Sequence, residues 1–309
     1  MKIPITQSKE WHKLQSDLGE ADFFEKGNNY QFLAILKRTK YNNYLYLPYG
    51  PIAKDKAAFR SVLKRLSNLA GEHNCDFIRI EPFNADFINC LPKNARKSID
   101  LNPELTWVLD LDGTPESLQK KLPSRLLRYY RKLSANNLEI VTSKEPDDIM
   151  HLLKLQRALA SKKGINTFSE TYLKTELAQP FSTLYLLKHT NPDTKEHEII
   201  AAGLVFDDKD TRYNLQGAQS DQGRKLHGTG FLTIQLILDA KAKGLKYFDF
   251  WGIAPEGAPS SHPWAGFTNF KKTFDGRIVK HAGTYDIVLK PFRYKIYQLL
   301  RKLNRMTRQ

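Results

Sequence analysis

Two adjacent lysines, Lys271 and Lys272, sit in an aromatic frame, GFTNFKKTFDG (Gly266–Gly276). Phe267, Phe270 and Phe274 recur at helical spacing, which predicts a short helix seated on a core by its rings. One lysine can then point into a cleft. A fixed ammonium there neutralises a phosphate leaving group or a tetrahedral oxyanion; the plainer reading is two surface lysines on an amphipathic helix. Upstream lies YFDFW (Tyr247–Trp251), an alternating strand in which Asp249 and Trp251 face away from Phe248 and Phe250. A long Gly/Pro/Ser loop joins the strand to the lysine segment, and a loop of this length after a buried strand is often functional.

The remaining acid–base inventory is sparse. There is no G-x-S-x-G elbow, H-E-x-x-H pair or Walker loop. Asp110 and Asp112 flank Leu111 at a strand end, where they could form a general-base pair or simply suit a turn. Cys75 and Cys90 are the only cysteines, without C-x-x-C or metal-ligand spacing, so a reducing, cytoplasmic setting and no metal or other cofactor are expected. Few acid–base groups and many cations suit an already activated substrate, for which an enzyme mainly positions reactants and stabilises developing charge.

The cations are numerous. The 309 residues carry a net charge of +15, which favours polyanionic partners. KKLPSRLLRYYRK (Lys120–Lys132) holds six basic residues and no acid. Read as one helix, it places Lys121, Arg125, Arg128 and Lys132 on a single face, a stripe for phosphates. Lys290–Arg308 repeats the design with seven basic residues, no acid and an apolar side of Phe292, Ile296, Leu299, Leu300 and Leu303. That helix could seat an RNA backbone, lie on an anionic membrane, or dock with a basic outer face. The N-terminal MKIPITQSKEWHKLQ lacks the apolar run of a signal peptide, and no stretch approaches the ~18 apolar residues of a membrane span.

Two halves share an order of elements. Tyr30–Leu47 reads as a hairpin, Lys54–Gly71 as a helix stopped by Gly71, and Asp76–Glu81 and Thr106–Leu111 as strands. Thr114-Pro115-Glu116 is a helix start. In the second half, Ser182–Lys188, Glu198–Phe206 and Arg212–Gln216 are strands, Gly230–Lys243 is a helix, and Lys246–Trp251 is the strand after it. LAGEHNCDFIRIEP and AKAKGLKYFDFWGI match as helix end, link and strand. The fold class is α/β (α+β): two related domains, 1–143 and 144–290, each a mixed, mainly antiparallel sheet with flanking helices, and a basic helix, 291–309, packed on the first. QGRKLHGTG (Gln222–Gly230) resembles the acetyl-CoA loop of GNAT acyltransferases, with a glycine-rich turn into a helix as the alternative.

YLPYGPI (Tyr46–Ile52), FIRIEP (Phe77–Pro82), the R-x-x-R-x-x-R-K segment (Arg125–Lys132), AKAKGLKYFDFWGI (Ala240–Ile253) and GFTNFKKTFDGRIVKHAGTYDIVL (Gly266–Leu289) occur together and in order. In this the chain resembles the Fem family, the aminoacyl-tRNA-dependent peptidyltransferases that build peptidoglycan interpeptide bridges, in its short form without a coiled-coil arm. Family members often carry Arg at the position of Tyr49. The resemblance implies two tandem GNAT-like domains without CoA, working as a monomer in the cytoplasm or peripherally at the inner face of the membrane. The implied donor is aminoacyl-tRNA. The implied acceptor is the side-chain amine of a stem peptide on a UDP-linked or lipid-linked peptidoglycan precursor. Lys37 and Arg212 resemble the family's pair of phosphate-holding cations, with Tyr49, Tyr213, Gln216, Asp249 and Trp251 in the same substrate cleft. Lys271 resembles the family's lysine near the reacting ester, and Lys272 competes for that role.

Overall fold

The computed structural model describes residues 3–163, 167–262 and 264–306. In chain order these form α1 (Lys9–Asp17), β1 (Ala21–Lys26), β2 (Tyr30–Arg38), β3 (Asn43–Leu47), β4 (Ile52–Ala53), α2 (Lys56–Glu72), β5 (Phe77–Ile80), β6 (Ala95–Lys97), β7 (Leu105–Asp110), α3 (Pro115–Lys120), α4 (Ser124–Tyr130) and β8 (Leu138–Ser143). There follow α5 (Ile149–Lys163), α6 (Glu170–Ala178), β9 (Ser182–Thr190), β10 (His197–Asp207), β11 (Thr211–Gln219), α7 (Asp221–Lys225), α8 (Gly228–Ala242), β12 (Tyr247–Gly252), α9 (Ala265–Lys271), β13 (Arg277–Lys280), β14 (Tyr285–Val288) and α10 (Pro291–Met306).

The chain divides into two compact units. One contains everything up to Glu104 together with the stretch from Lys280 onward; the other is Leu105–Val279. Each is a sheet with helices, as expected of tandem GNAT-like domains. The first sheet runs β1-β2-β3-β5-β14-β6, with β4 on β2; the second runs β8-β9-β10-β11-β12-β7-β13. The two orders correspond. Each has an antiparallel trio, then a strand parallel to its third member (β5 on β3, β12 on β11), then an antiparallel strand (β14 on β5, β7 on β12).

That last strand corrects the expected boundary at 143/144. β7 precedes the boundary in sequence, yet it pairs with β12, Phe248 facing Leu109, and belongs to the second unit. The first sheet takes its corresponding strand, β14, from near the C-terminus, Ile287 facing Ile78. The break therefore falls at Glu104/Leu105, and the return at Val279/Lys280 rather than 290/291. Local pattern identifies a strand but not its partner, so the exchange left no mark on periodicity.

Both long helices feed their parallel strands through the same turn. α2 does not stop at Gly71; it runs to Glu72, and Asn74 adopts φ +53°. After α8, Gly244 adopts φ +77°. In each case the next amide reaches back to the helix: Cys75 N–H to Ala70 O, and Leu245 N–H to Ala240 O. Asn tolerates the left-handed region nearly as Gly does, and so closes a helix in the same way.

Each unit has its own core. Phe59, Val62, Leu66, Leu45, Ile78 and Ile287 are among the buried residues of the first. Phe231, Ile234, Ile237, Phe248, Phe250 and Phe274 are among those of the second. A buried arginine fork braces each sheet. Arg79 on β5 meets Asp286 on β14 through Nε–Oδ1 at 2.7 Å and Nη2–Oδ2 at 2.8 Å, and Nη2 also donates to the Tyr297 hydroxyl of α10. This docks α10 on the first unit; 307–309 lie outside the described residues. Asp286→Ala leaves the Arg79 charge buried without its partner. It is expected to cost about 3–5 kcal/mol in urea unfolding, more than any surface substitution.

Candidate functional site

The second unit opens its sheet where the first keeps its sheet closed. In the first, β3 and β5 pair over four rows, Tyr44–Phe77 to Leu47–Ile80. In the second, β11 and β12 pair over three rows, ending at Tyr213–Asp249, although β11 runs on to Gln219 and β12 to Gly252. The β12–β7 register also shifts between Asp249 and Gly252, and Trp251 adopts φ +66°. A left-handed tryptophan is strained, and strain of this kind collects at functional sites. Counting from the two helix caps, Asp249 corresponds to Arg79 and Trp251 to Glu81. In the first unit those places are filled, by the Arg79 fork and by a Glu81 that accepts from Asn102, the Tyr49 amide and Thr284.

The open place gathers Tyr213, Asp249, Trp251 and Lys271. Asp249 Oδ1 accepts the Trp251 amide at 2.8 Å, and the Trp251 ring meets Tyr213 edge-on at 6.2 Å. The Tyr213 hydroxyl donates to Asp208 at 2.7 Å. Lys271, at the end of α9, donates from Nζ to Gly252 O at 2.6 Å. Thr268 fixes the helix, its Oγ1 accepting the Ala254 amide at 2.8 Å. Burial pushes the Lys271 ammonium down to about 8, and Asp249 partly opposes that. Lys272 is exposed, whereas Lys271 is half-buried. Of the expected rings, Phe274 is buried and Phe270 partly so, but Phe267 is 45% exposed.

Gln216 leads to residues the sequence did not single out. It donates to Glu176 on α6 and accepts from Gln156 on α5 at 3.2 Å. Glu176 stands on the face of Leu173 and Leu177 at positions i+3 and i+4, a buried carboxyl that helical spacing would have disclosed. Burial pushes it up to about 8, against hydrogen bonds from Tyr172 and Gln216 that favour the charged form.

Several expected site residues hold the fold instead. Arg212 is fully buried, its fork on Asp207 at 2.7 Å twice, with Nη1 donating to the Tyr185 hydroxyl and Leu236 O. It faces α8, away from Tyr213, and does not offer a phosphate site. Tyr49 belongs to the first unit, is buried, and donates to Pro103 O. Lys37, also of the first unit, pairs with Glu20 at 2.6 Å. That pair is partly exposed and worth at most ~1 kcal/mol, so a phosphate can compete for Lys37.

The basic stripe is broken. Pro123 lacks the amide that would continue α3, so α3 and α4 are separate helices. Lys121 caps the first and donates to Asp110 O and Asp112 Oδ1. Arg125, Arg128 and Lys132 remain exposed on or just beyond α4, with the two guanidinium carbons 5.9 and 5.6 Å from the Tyr129 ring. The Asp110/Asp112 pair is spoken for as well: Asp110 holds Arg277 and Asp112 holds Lys121.

The glycines of Gln222–Gly230 serve packing. A Cβ on Gly228 would crowd Ala201 at 3.1 Å, one on Gly230 would strike Leu126 at 2.7 Å, and the Thr229 amide is already bound by Gln219 Oε1 at 3.0 Å. Among the described residues no group of three or more His, Cys, Asp or Glu could hold a metal, and no helix is long and apolar enough to cross a membrane.

The FemAB family model matches residues 136–302, more than half of the sequence. This chain belongs to the FemAB family. It is an enzyme of the aminoacyl-tRNA-dependent transferase class. No curated protein matches it in sequence. Among solved structures it is similar to FemX, with a TM-score of 0.80 at 14% identity over 95% of this chain and 94% of that one. It is also similar to L-PGS from Bacillus licheniformis, with a TM-score of 0.61 at 13% identity over 99% of both chains. A third likeness is to the C-terminal domain of a putative lysylphosphatidylglycerol synthetase from Agrobacterium fabrum, with a TM-score of 0.59 at 14% identity over 95% and 92%. At these identities the likeness is one of fold.

Two outcomes follow from the buried groups. The folded Glu176 holds a proton that the unfolded chain, at a carboxylate value of ~4.3, has lost. Its stabilising contribution is present below that value and is lost as pH rises through about 8. Glu176→Gln should flatten that decline in a pH series of urea midpoints, gaining on the order of 2 kcal/mol or more at pH 8. Lys271 has the opposite sign of shift, so its folded charge is penalised below about 8. Lys271→Met should stabilise the protein at pH 7 by about 1–3 kcal/mol.

Proposed function

We propose that the protein moves an amino acid from aminoacyl-tRNA to the side-chain amine of a peptidoglycan-precursor stem peptide, UDP-linked or lipid-linked. The observation that carries this reading is Lys271: a desolvated ammonium, held on Gly252 O, beside Asp249 at the parted ends of β11 and β12.

The acceptor amine, neutral at attack, forms the C–N bond to the ester carbonyl carbon. The carbonyl oxygen takes the electron pair and becomes an oxyanion. An ammonium has three donors, and one goes to Gly252 O, so Lys271 can offer another to that oxygen. On collapse the C–O bond to the tRNA 3′ ribose breaks, and the proton lost by the amine ends on the leaving oxygen. Lys271 needs no proton transfer of its own. The positive end of Arg125, Arg128 and Lys132 suits the tRNA backbone. Packed glycines at Gly228 and Gly230 disfavour CoA as the donor.

The test is a transfer assay with radiolabelled charged tRNA. UDP-muramoyl-pentapeptide, lipid-linked precursor and phosphatidylglycerol serve as acceptors, with acetyl-CoA as a parallel donor. Label on a muropeptide supports the proposal. Label only on phosphatidylglycerol replaces the acceptor with the lipid that the names of the synthetase structures suggest, and transfer only from acetyl-CoA overturns the donor. Lys271→Ala should lower kcat by about 10²–10³ with KM little changed. The alkaline limb of the wild-type rate profile near pH 8 should move beyond pH 9 in Lys271→Arg.

A further inference from the structure

α10 has two apolar sides and buries only one. Tyr294 is buried against Asp286, and the half-buried Tyr297 accepts from Arg79. On the opposite side, Phe292, Ile296, Leu299 and Leu303 follow at i, i+4, i+7 and i+11, one stripe along a helix of 16 residues. They are 75%, 41%, 59% and 49% exposed. Single exposed leucines need no explanation, but a continuous stripe on a firmly docked helix does. At 100° per residue, Lys295 and Lys302 border the stripe on one edge and Arg293 on the other, and all three are exposed. Arg293 donates from Nη2 to Tyr41 O at 3.1 Å. This sets the β2–β3 turn beside the helix start, with Tyr41 53% exposed and Lys40 5.3 Å from its ring.

We infer that this face is a membrane-surface anchor: α10 lies in the plane of an anionic bilayer, its stripe among the acyl chains and its lysines among the headgroups. An in-plane amphipathic helix has this composition, apolar side chains bordered by Lys and Arg with an aromatic at the boundary. Charge decides against a second copy of the chain. From Lys290 to Gln309 there are seven basic residues and no acid, so pairing this face with itself would oppose like charges. Apolar content decides against RNA, since four large hydrophobic side chains offer nothing to phosphates. The inference does not rest on the transfer reaction.

The experiment is sedimentation of the full-length protein with vesicles of phosphatidylcholine alone or mixed with phosphatidylglycerol. Wild type should bind the mixed vesicles, weakly or not at all the neutral ones, and less in high salt. Phe292→Ser/Leu299→Ser should bind about a hundredfold more weakly. Its thermal midpoint should be unchanged, because both side chains are exposed. Lys271→Ala is run beside it, since phosphatidylglycerol could also be held as a substrate; it should bind as wild type does. Equal vesicle binding by wild type and the double variant overturns the proposal. So does a wild-type dimer that the double variant converts to monomer, or a loss of tRNA binding in that variant with vesicle binding intact.

Discussion

Asp286 and Arg79 meet out of reach of water, 207 residues apart in sequence. Neither charge is tolerable there alone: burial works against the guanidinium, and only the two-point carboxylate contact more than offsets it. The pair therefore fixes which strand lies beside β5. With β14 held there, the first sheet is completed from the C-terminal end of the chain, and β7 is left to complete the second. The same fork carries α10 through the Tyr297 hydroxyl, and the Tyr294 hydroxyl donates to Asp286 as well, so the orientation of that helix, and which of its sides faces outward, is tied to the buried pair.

Much of this was legible in the residues. The β2–β3 hairpin, α8, β12 and the Thr114 cap stand where periodicity and capping chemistry place them. The similarity of the two helix-to-strand passages proved to be a shared cap and a shared parallel pairing. The alternation of Tyr247–Trp251 sorted Asp249 and Trp251 from the core phenylalanines. What the residues did not disclose was partnership. Arg212 was expected to hold phosphate on the family resemblance alone, and an arginine on a strand gives no hint that Asp207, across the hairpin turn, will fork with it. Lys120–Lys132 looked like one helix because charge spacing was weighed and the proline within it was not. Glu176 went unnoticed because its value lies in burial, which spacing alone could have suggested but charge counting could not.

The corrected inventory sharpens the chemistry. With Arg212, Tyr49, Lys121 and the Asp110/Asp112 pair committed to structure, the second unit brings one partly buried ammonium beside Asp249 at the strained Trp251 turn. An activated ester asks for little else. Its carbonyl is ready for attack, and its barrier lies in assembling the amine and in the charge that develops on oxygen. A lysine whose own charge is disfavoured by burial gains most when an anion forms beside it. It interacts more strongly with the oxyanion of the transition state than with the neutral ester before it, which is the difference that accelerates a reaction. In the proposed reaction, the structural cost of burying the Lys271 ammonium at neutral pH is tied to that use.

The basic surplus is likewise not one feature. On α4 the exposed cations surround a tyrosine ring, and the leucines are turned inward: Leu127 is buried and Leu126 packs against α8 at Gly230. On α10 the cations border leucines and a phenylalanine that are turned outward. The first arrangement answers a polyanion with charge and ring stacking, so its strength should vanish with salt. The second adds apolar area to charge, a combination that suits a partner with both an anionic surface and an apolar interior. A chain with one net charge of +15 therefore presents two chemically distinct cationic faces, and the direction in which the leucines point, rather than the count of lysines, separates them.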